Sequence, residues 1–395
     1  MNKTINAALF CLALGFLASP TIVALYHILI IVPALVLIAK NQVTLKLPKS
    51  SYFLLGFFIW GVATTLWQAD TIINLNKSLQ ELKFPLFGVL CIYPLAFFIN
   101  KYPKSPWVTY LKVVSVVIIV AYFVGITKAW FKFDIKHWTY DPSFHGRSDG
   151  LTNVMRYGYA CGLLFTLGLG IYLNRKHFEL KLPKIFYAGL IFSFLGVFAA
   201  QTRGAVLGMM VSIPFLIYPY YKRLAIGLVS LGSLFGLVLI VGIATGQFKH
   251  RMLNLNDGSN QLRKSQFQAA YYAIAEKPWV GHGSDQFSYQ VKRIKLEHQL
   301  FEPEYQGHSH NIFLESAASF GIPGFLFIFC FFACWIFEMK SSGHPYLKYT
   351  VVAYIMAFVV AGQVENLFEN TNSHLMYFVY SFSQVIRINS QKKQS

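Results

Sequence analysis

Residues 308–324 read HSHNIFLESAASFGIPG, and they mark where the longest polar segment of the chain, 246–309, re-enters an apolar run. Phe313, Leu314, Ala317, Ala318 and Gly321 recur at helical spacing, which predicts a helix entering a membrane. Ser309 is expected as its N-cap, with its hydroxyl accepting from the first turn and His310 lying inside that turn. At such a helix lip, water, lipid headgroups and a helix terminus meet, so His310 is the candidate proton acceptor.

The composition outside this stretch agrees with a membrane setting. Fifty-five per cent of the 395 residues are hydrophobic and thirteen per cent are charged, with a mean hydropathy of +0.48. The apolar residues come in long blocks, the pattern of an integral membrane protein rather than a soluble core. The formal charge is +18, but Lys and Arg punctuate the blocks instead of forming an aromatic-interleaved patch. That arrangement orients a chain in a bilayer and speaks against a nucleic-acid partner.

Blocks at 5–19, 21–39, 52–68, 84–99, 108–130, 154–173, 185–200, 204–220, 223–245, 310–337, 346–363 and 372–386 give about twelve spans at roughly twenty residues per crossing. The first block resembles a signal peptide, but the next apolar block follows at once, so it is read as a span. The five cysteines all lie inside apolar blocks and read as packing residues. Loops rich in Lys and Arg alternate along the chain, which puts both termini on the cytoplasmic side of the membrane. The segments around 131–153, Arg203, 246–309 and 365–372 then share the outer face. The expected fold is an all-α polytopic membrane protein, one domain over 1–395, with a single large outer loop at 246–309.

Inside that loop, 261–276 reads as a helix closed by Lys277-Pro278 and a glycine turn. Arg263 shares a stripe with Phe267, Ala270 and Ile274, so it is expected to face protein or membrane, whereas Lys264 faces water. Arg203 sits between two apolar runs, on the side where positive charge is not needed for orientation. Two outward arginines beside a bilayer suit a lipid-linked diphosphate, because each guanidinium grips phosphate oxygens bidentately. Arg147, Arg156 and His308 are weaker candidates for substrate binding. The spacing of HSH brings no carboxylate or cysteine with it, so no metal site is expected. No P-loop, nucleophile elbow or dinucleotide fingerprint is present, so no cofactor is implied.

Three stretches together carry a resemblance: QTRGA at 201–205, LRKSQFQAAYYAIAEKPWVGHG at 262–283, and HSHNIFLESAASFGIPG. In this combination the chain resembles the O-antigen ligase family, part of a superfamily that includes the O-antigen polymerases. The resemblance implies a C-type glycosyltransferase-like fold with about twelve spans. It also implies transfer of a polysaccharide from an undecaprenyl-diphosphate-linked glycan donor onto a sugar of the lipid A core acceptor, at the periplasmic face of the bacterial inner membrane, which would make 246–309 a large periplasmic loop. By the same resemblance Arg203 and Arg263 hold the diphosphate, and His310 is the catalytic base. A polymerase of the superfamily, a transferase acting on protein, and a lipid-linked sugar transporter or flippase remain rivals. Transport is disfavoured by the expectation of unbroken apolar spans.

Overall fold

The computed structural model describes all residues except 44, 70–71, 103–106, 143–145, 178–180, 245–257, 341–344, 370 and 395. The first part of the 246–309 segment therefore lies outside the described residues. Sixteen α-helices occur among those described: α1 (Asn2–Ala18), α2 (Pro20–Ala39), α3 (Lys49–Trp67), α4 (Leu75–Glu81), α5 (Lys83–Leu90), α6 (Ile92–Lys101), α7 (Trp107–Phe131) and α8 (Val154–Asn174) form the first half. The second half holds α9 (Lys184–Ala199), α10 (Arg203–Ile217), α11 (Lys222–Ala244), α12 (Gly258–Glu276), α13 (Phe287–Glu297), α14 (Ile312–Lys340), α15 (Pro345–Ala361) and α16 (Thr371–Gln394). The only sheet among the described residues pairs Phe133–Asp134 with Thr139–Tyr140 antiparallel.

Six helical stretches are long and apolar enough to cross a membrane, and four shorter apolar helices accompany them. Leu224, Ile226 and Leu231 on α11, and Leu25, Ile28 and Val32 on α2, stand exposed. Exposed aliphatic stripes on helices of this length are what lipid covers. This is an all-α membrane protein.

Two of the expected spans are broken. The stretch Leu75–Lys101 is divided into α4, α5 and α6 at Leu82 and Cys91. Pro85 and Pro94 each fall in the first turn after a break. A proline there lacks the N–H that would continue the preceding helix, and its ring crowds the carbonyl four residues upstream. The second break lies within α14, at Gly321, where φ is 70° and ψ −176°. Unbroken spans therefore cannot be used to argue against transport.

The break in α14 seats the loop that follows α11. Three carbonyls at the break are taken by groups from outside the helix: His282 N–H donates to Ala318 O (2.9 Å), Gly283 N–H to Ser319 O (2.9 Å) and Trp60 Nε1–H to Phe320 O (2.8 Å). In return Ile322 N–H donates to Pro278 O at 2.7 Å. A small second core, with Ala269, Ala270 and Ala273 of α12 against Phe287, Val291 and Ile294 of α13, rests on Ala318. The α12–α13 hairpin is thus bolted to the membrane bundle by backbone hydrogen bonds and apolar packing. At the far end of α14 the Glu338 carboxylate accepts from Ser50 N–H (3.2 Å) and Gln384 Nε2 (2.7 Å), which caps α3 and ties α3, α14 and α16 together.

Candidate active site

The entry to α14 differs from the expectation. The N-cap is Asn311, not Ser309: its Oδ1 accepts from the backbone N–H of Phe313 (2.9 Å) and Leu314 (3.0 Å). Asparagine outcompetes serine here because its longer side chain spans to two orphan donors while its own Nδ2 reaches Gln363 Oε1 at 3.1 Å. Ser309 serves the turn instead. Its N–H donates to Glu315 Oε2 (2.7 Å) and its hydroxyl to Asn311 O (2.9 Å). His310 consequently stands outside the helix, with φ 53°. That left-handed conformation is uncommon for a residue bearing a Cβ and is held by the bonds on either side of it.

The turn after α15 completes the arrangement. Ile312 N–H donates to Gly362 O at 2.8 Å, which draws the 362–366 turn against the start of α14. Glu365, 5% exposed, then sits between the two histidines. Its Oε1 lies 2.9 Å from His308 Nε2, and its Oε2 approaches His310 Nδ1 to 3.4 Å without forming a hydrogen bond. The imidazole rings are 4.7 Å apart. Burial pushes the Glu365 carboxyl up, but the hydrogen bond from His308 and the nearness of His310 outweigh it and hold it at about 2. Glu365 is therefore a carboxylate across the working pH range.

This corrects the expectation that HSH has no carboxylate companion. The companion comes from 55 residues or more along the chain, so no local spacing reveals it. His308, His310 and Glu365 offer three ligand atoms within 4.8 Å of one another. Two imidazoles and a carboxylate are a donor set that zinc accepts. The same atoms also form a carboxylate–histidine pair of the kind that orients a base.

The arginines gather from three other elements. Arg203 opens α10 and is exposed. Arg147 lies against its turn, donating from Nε to Ala200 O (2.7 Å) and from a terminal nitrogen to Thr202 Oγ1 (3.1 Å). Arg263 lies half-buried on α12, while Lys264 on the next position is exposed. Burial, and then the charges of Arg263 and Arg203, press the Arg147 guanidinium below its ordinary value. The three cations thus share one field. Tyr159 is reached by the charges of Glu365, Arg263 and Arg147 together, which joins this cluster to the histidine turn.

Gly204 shows how close the two halves come. A Cβ there would stand 2.4 Å from both the Tyr159 hydroxyl and Val364 Cγ2, so only glycine lets the Arg203 turn rest against the Glu365 turn. Arg156 has its backbone N–H held by Asn153 Oδ1, and its charge reaches His374 on α16. His282, buried at the α14 break, donates from Nε2 to Ala273 O (3.1 Å) and joins the hairpin to α14 rather than the arginine cluster. The side chain of Glu369 lies outside the described residues.

The structure therefore brings Arg147, Arg203 and Arg263 into one field beside His308, His310 and Glu365, and the charge of Arg156 is felt at His374. Sequence reasoning assigned no role to Asn311, Tyr159, Gly204 or Gln266, and had no spacing argument for Glu365. A polar turn on the outer side, GQVEN at 362–366, was the one available signal for the carboxylate.

Residues 188–329 match the family model described as O-antigen ligase. This segment, a little over a third of the chain, is similar to the O-antigen ligase family. Arg203, Arg263, His308, His310 and Gly321 fall inside the matched segment, whereas Arg147, Tyr159 and Glu365 fall outside it. No curated protein matches the chain. Members of the O-antigen ligase family are glycosyltransferase-like enzymes of glycan assembly, and a domain of this kind goes with lipid-linked glycan substrates in a membrane.

Proposed function

We propose that the chain is an O-antigen ligase of the bacterial inner membrane, which transfers a polysaccharide from undecaprenyl diphosphate to a sugar hydroxyl of lipid A core. In this reading the chain has about twelve spans, both termini are cytoplasmic, and the α12–α13 hairpin lies in a periplasmic loop, so the site faces the periplasm. The observation that carries this reading is the junction of two chemistries at one membrane edge. A histidine held off its helix faces a buried carboxylate, and three arginines share the field beside it.

The acceptor hydroxyl oxygen attacks the anomeric carbon of the donor as the bond from that carbon to the diphosphate oxygen breaks. His310 takes the hydroxyl proton. Arg203 and Arg263 hold the diphosphate and stabilise the charge that grows on it as it leaves, and Arg147 adds to the same field. Glu365 fixes the orientation of His308 and His310 and favours the imidazolium that His310 becomes. One displacement with one base inverts the anomeric centre, and no glycosyl-enzyme intermediate forms.

Charge neutralisation by arginine leaves no step for a metal, so His308, His310 and Glu365 act as an orienting cluster. Enzyme treated with EDTA is expected to retain full transfer activity, with the new linkage inverted relative to the donor by NMR of the product. Activity lost to chelation and restored by zinc would assign the cluster to metal binding instead. A product with retained configuration would exclude the single displacement.

A further inference from the structure

Gln266 lies one turn beyond Arg263 on α12 and is fully buried. Neither its Nε2 nor its Oε1 hydrogen-bonds to any described residue. Its neighbours do find partners, as when the Ser265 hydroxyl donates to Phe301 O at 2.7 Å. An atom at the Cβ position of Gly307 would stand 3.9 Å from Gln266 Nε2, so the amide comes up against the segment that leads into His308 and His310. Burying a carboxamide with both ends empty is costly, and native proteins keep such groups mainly where function uses them.

We propose that Gln266 binds a hydroxyl-bearing sugar of the lipid-linked donor, the residue next to the diphosphate. This rests on the donor reading given above. The chemistry of the amide narrows the ligand. A phosphate only accepts hydrogen bonds, so it could satisfy Nε2 but would leave Oε1 empty. A sugar hydroxyl both donates and accepts, and adjacent hydroxyls can fill both ends at once. The position fits, because Arg263, three residues earlier on the same helical face, is assigned to the diphosphate. Gln266 is thus a specificity-determining residue, since a sugar lacking the hydroxyl would leave the amide empty and be rejected.

The test is binding to purified protein of two probes, polyprenyl diphosphate bearing its glycan and polyprenyl diphosphate alone, for wild type and Gln266→Leu. The expected result is about 10- to 100-fold weaker binding of the glycosylated probe, unchanged binding of the bare diphosphate, and a melting temperature that does not fall. Leucine fills the same space without a polar group, so an unchanged or raised melting temperature separates a ligand role from a structural one. Equal weakening of both probes would put Gln266 on the phosphate, and unchanged binding of both would remove it from the site. A lowered melting temperature with glycan binding intact would make the amide a structural group. If wild-type protein bound neither probe, the donor reading itself would fail, and the inference with it.

Discussion

His310→Ala is expected to lower kcat for glycan transfer by on the order of 10²–10⁴-fold, while the lipid-linked donor still binds. The expectation follows from how the imidazole is held. It lies on a non-helical φ between a capping asparagine and a serine tied to Glu315, with a carboxylate 3.4 Å from Nδ1. None of those bonds depends on the imidazole, so alanine leaves the turn intact and removes only the ring. Glu365→Gln should show a smaller fall in kcat at similar donor affinity, because the base remains but its orientation and charge support are weakened. Single-turnover kinetics with donor binding measured separately distinguishes these effects. If His310→Ala fell only a few-fold, the imidazole would belong to substrate binding and the base would have to be sought elsewhere.

The second large effect is structural. Gly321→Ala is expected to destabilise the protein by about 3–5 kcal/mol and to abolish transfer. At φ 70° and ψ −176° the backbone occupies a region that a Cβ-bearing residue scarcely enters, and a Cβ there would stand 2.3 Å from Trp279 O. Relief requires either the break in α14 or the docked turn to move. Both are held by the bonds between His282, Gly283 and Ile322 and the carbonyls they meet. The hairpin that carries Arg263 and Gln266 would come loose from the bundle that carries His310. Hydrogen exchange at 277–283 should rise together with a lowered melting temperature. A stable variant with a protected turn would show that α14 tolerates a regular helix at 321.

The membrane character and the helix blocks were legible from hydropathy alone, because lipid forces long apolar helices. Proline breaks at Leu82 and Cys91 were legible in principle, yet Pro85 and Pro94 sit inside an apolar block whose hydropathy hides them. The kink at Gly321 is hidden in the sequence because Ile322 and Phe325 continue the apolar run across it. Arg203, Arg263 and His310 drew attention as polar groups at the edges of apolar runs. What joins them was not readable: Glu365 meets the histidines through the turn after α15, and Arg147 meets Arg203 through Ala200 and Thr202. Those contacts depend on which helices pack together, and periodicity says nothing of that. Ser309 is a good cap by residue type, but Asn311 is another, and the reach of Asn311 to Gln363 is not visible in the sequence.

Transfer to lipid A core can be read from purified protein given polyprenyl-diphosphate-linked glycan and lipid A core. A ligase attaches glycan to the core, visible by mass spectrometry, and releases free polyprenyl diphosphate in equal amount. Longer glycan remaining on the polyprenyl carrier, with the core unmodified, would overturn the ligase reading and make the protein a polymerase.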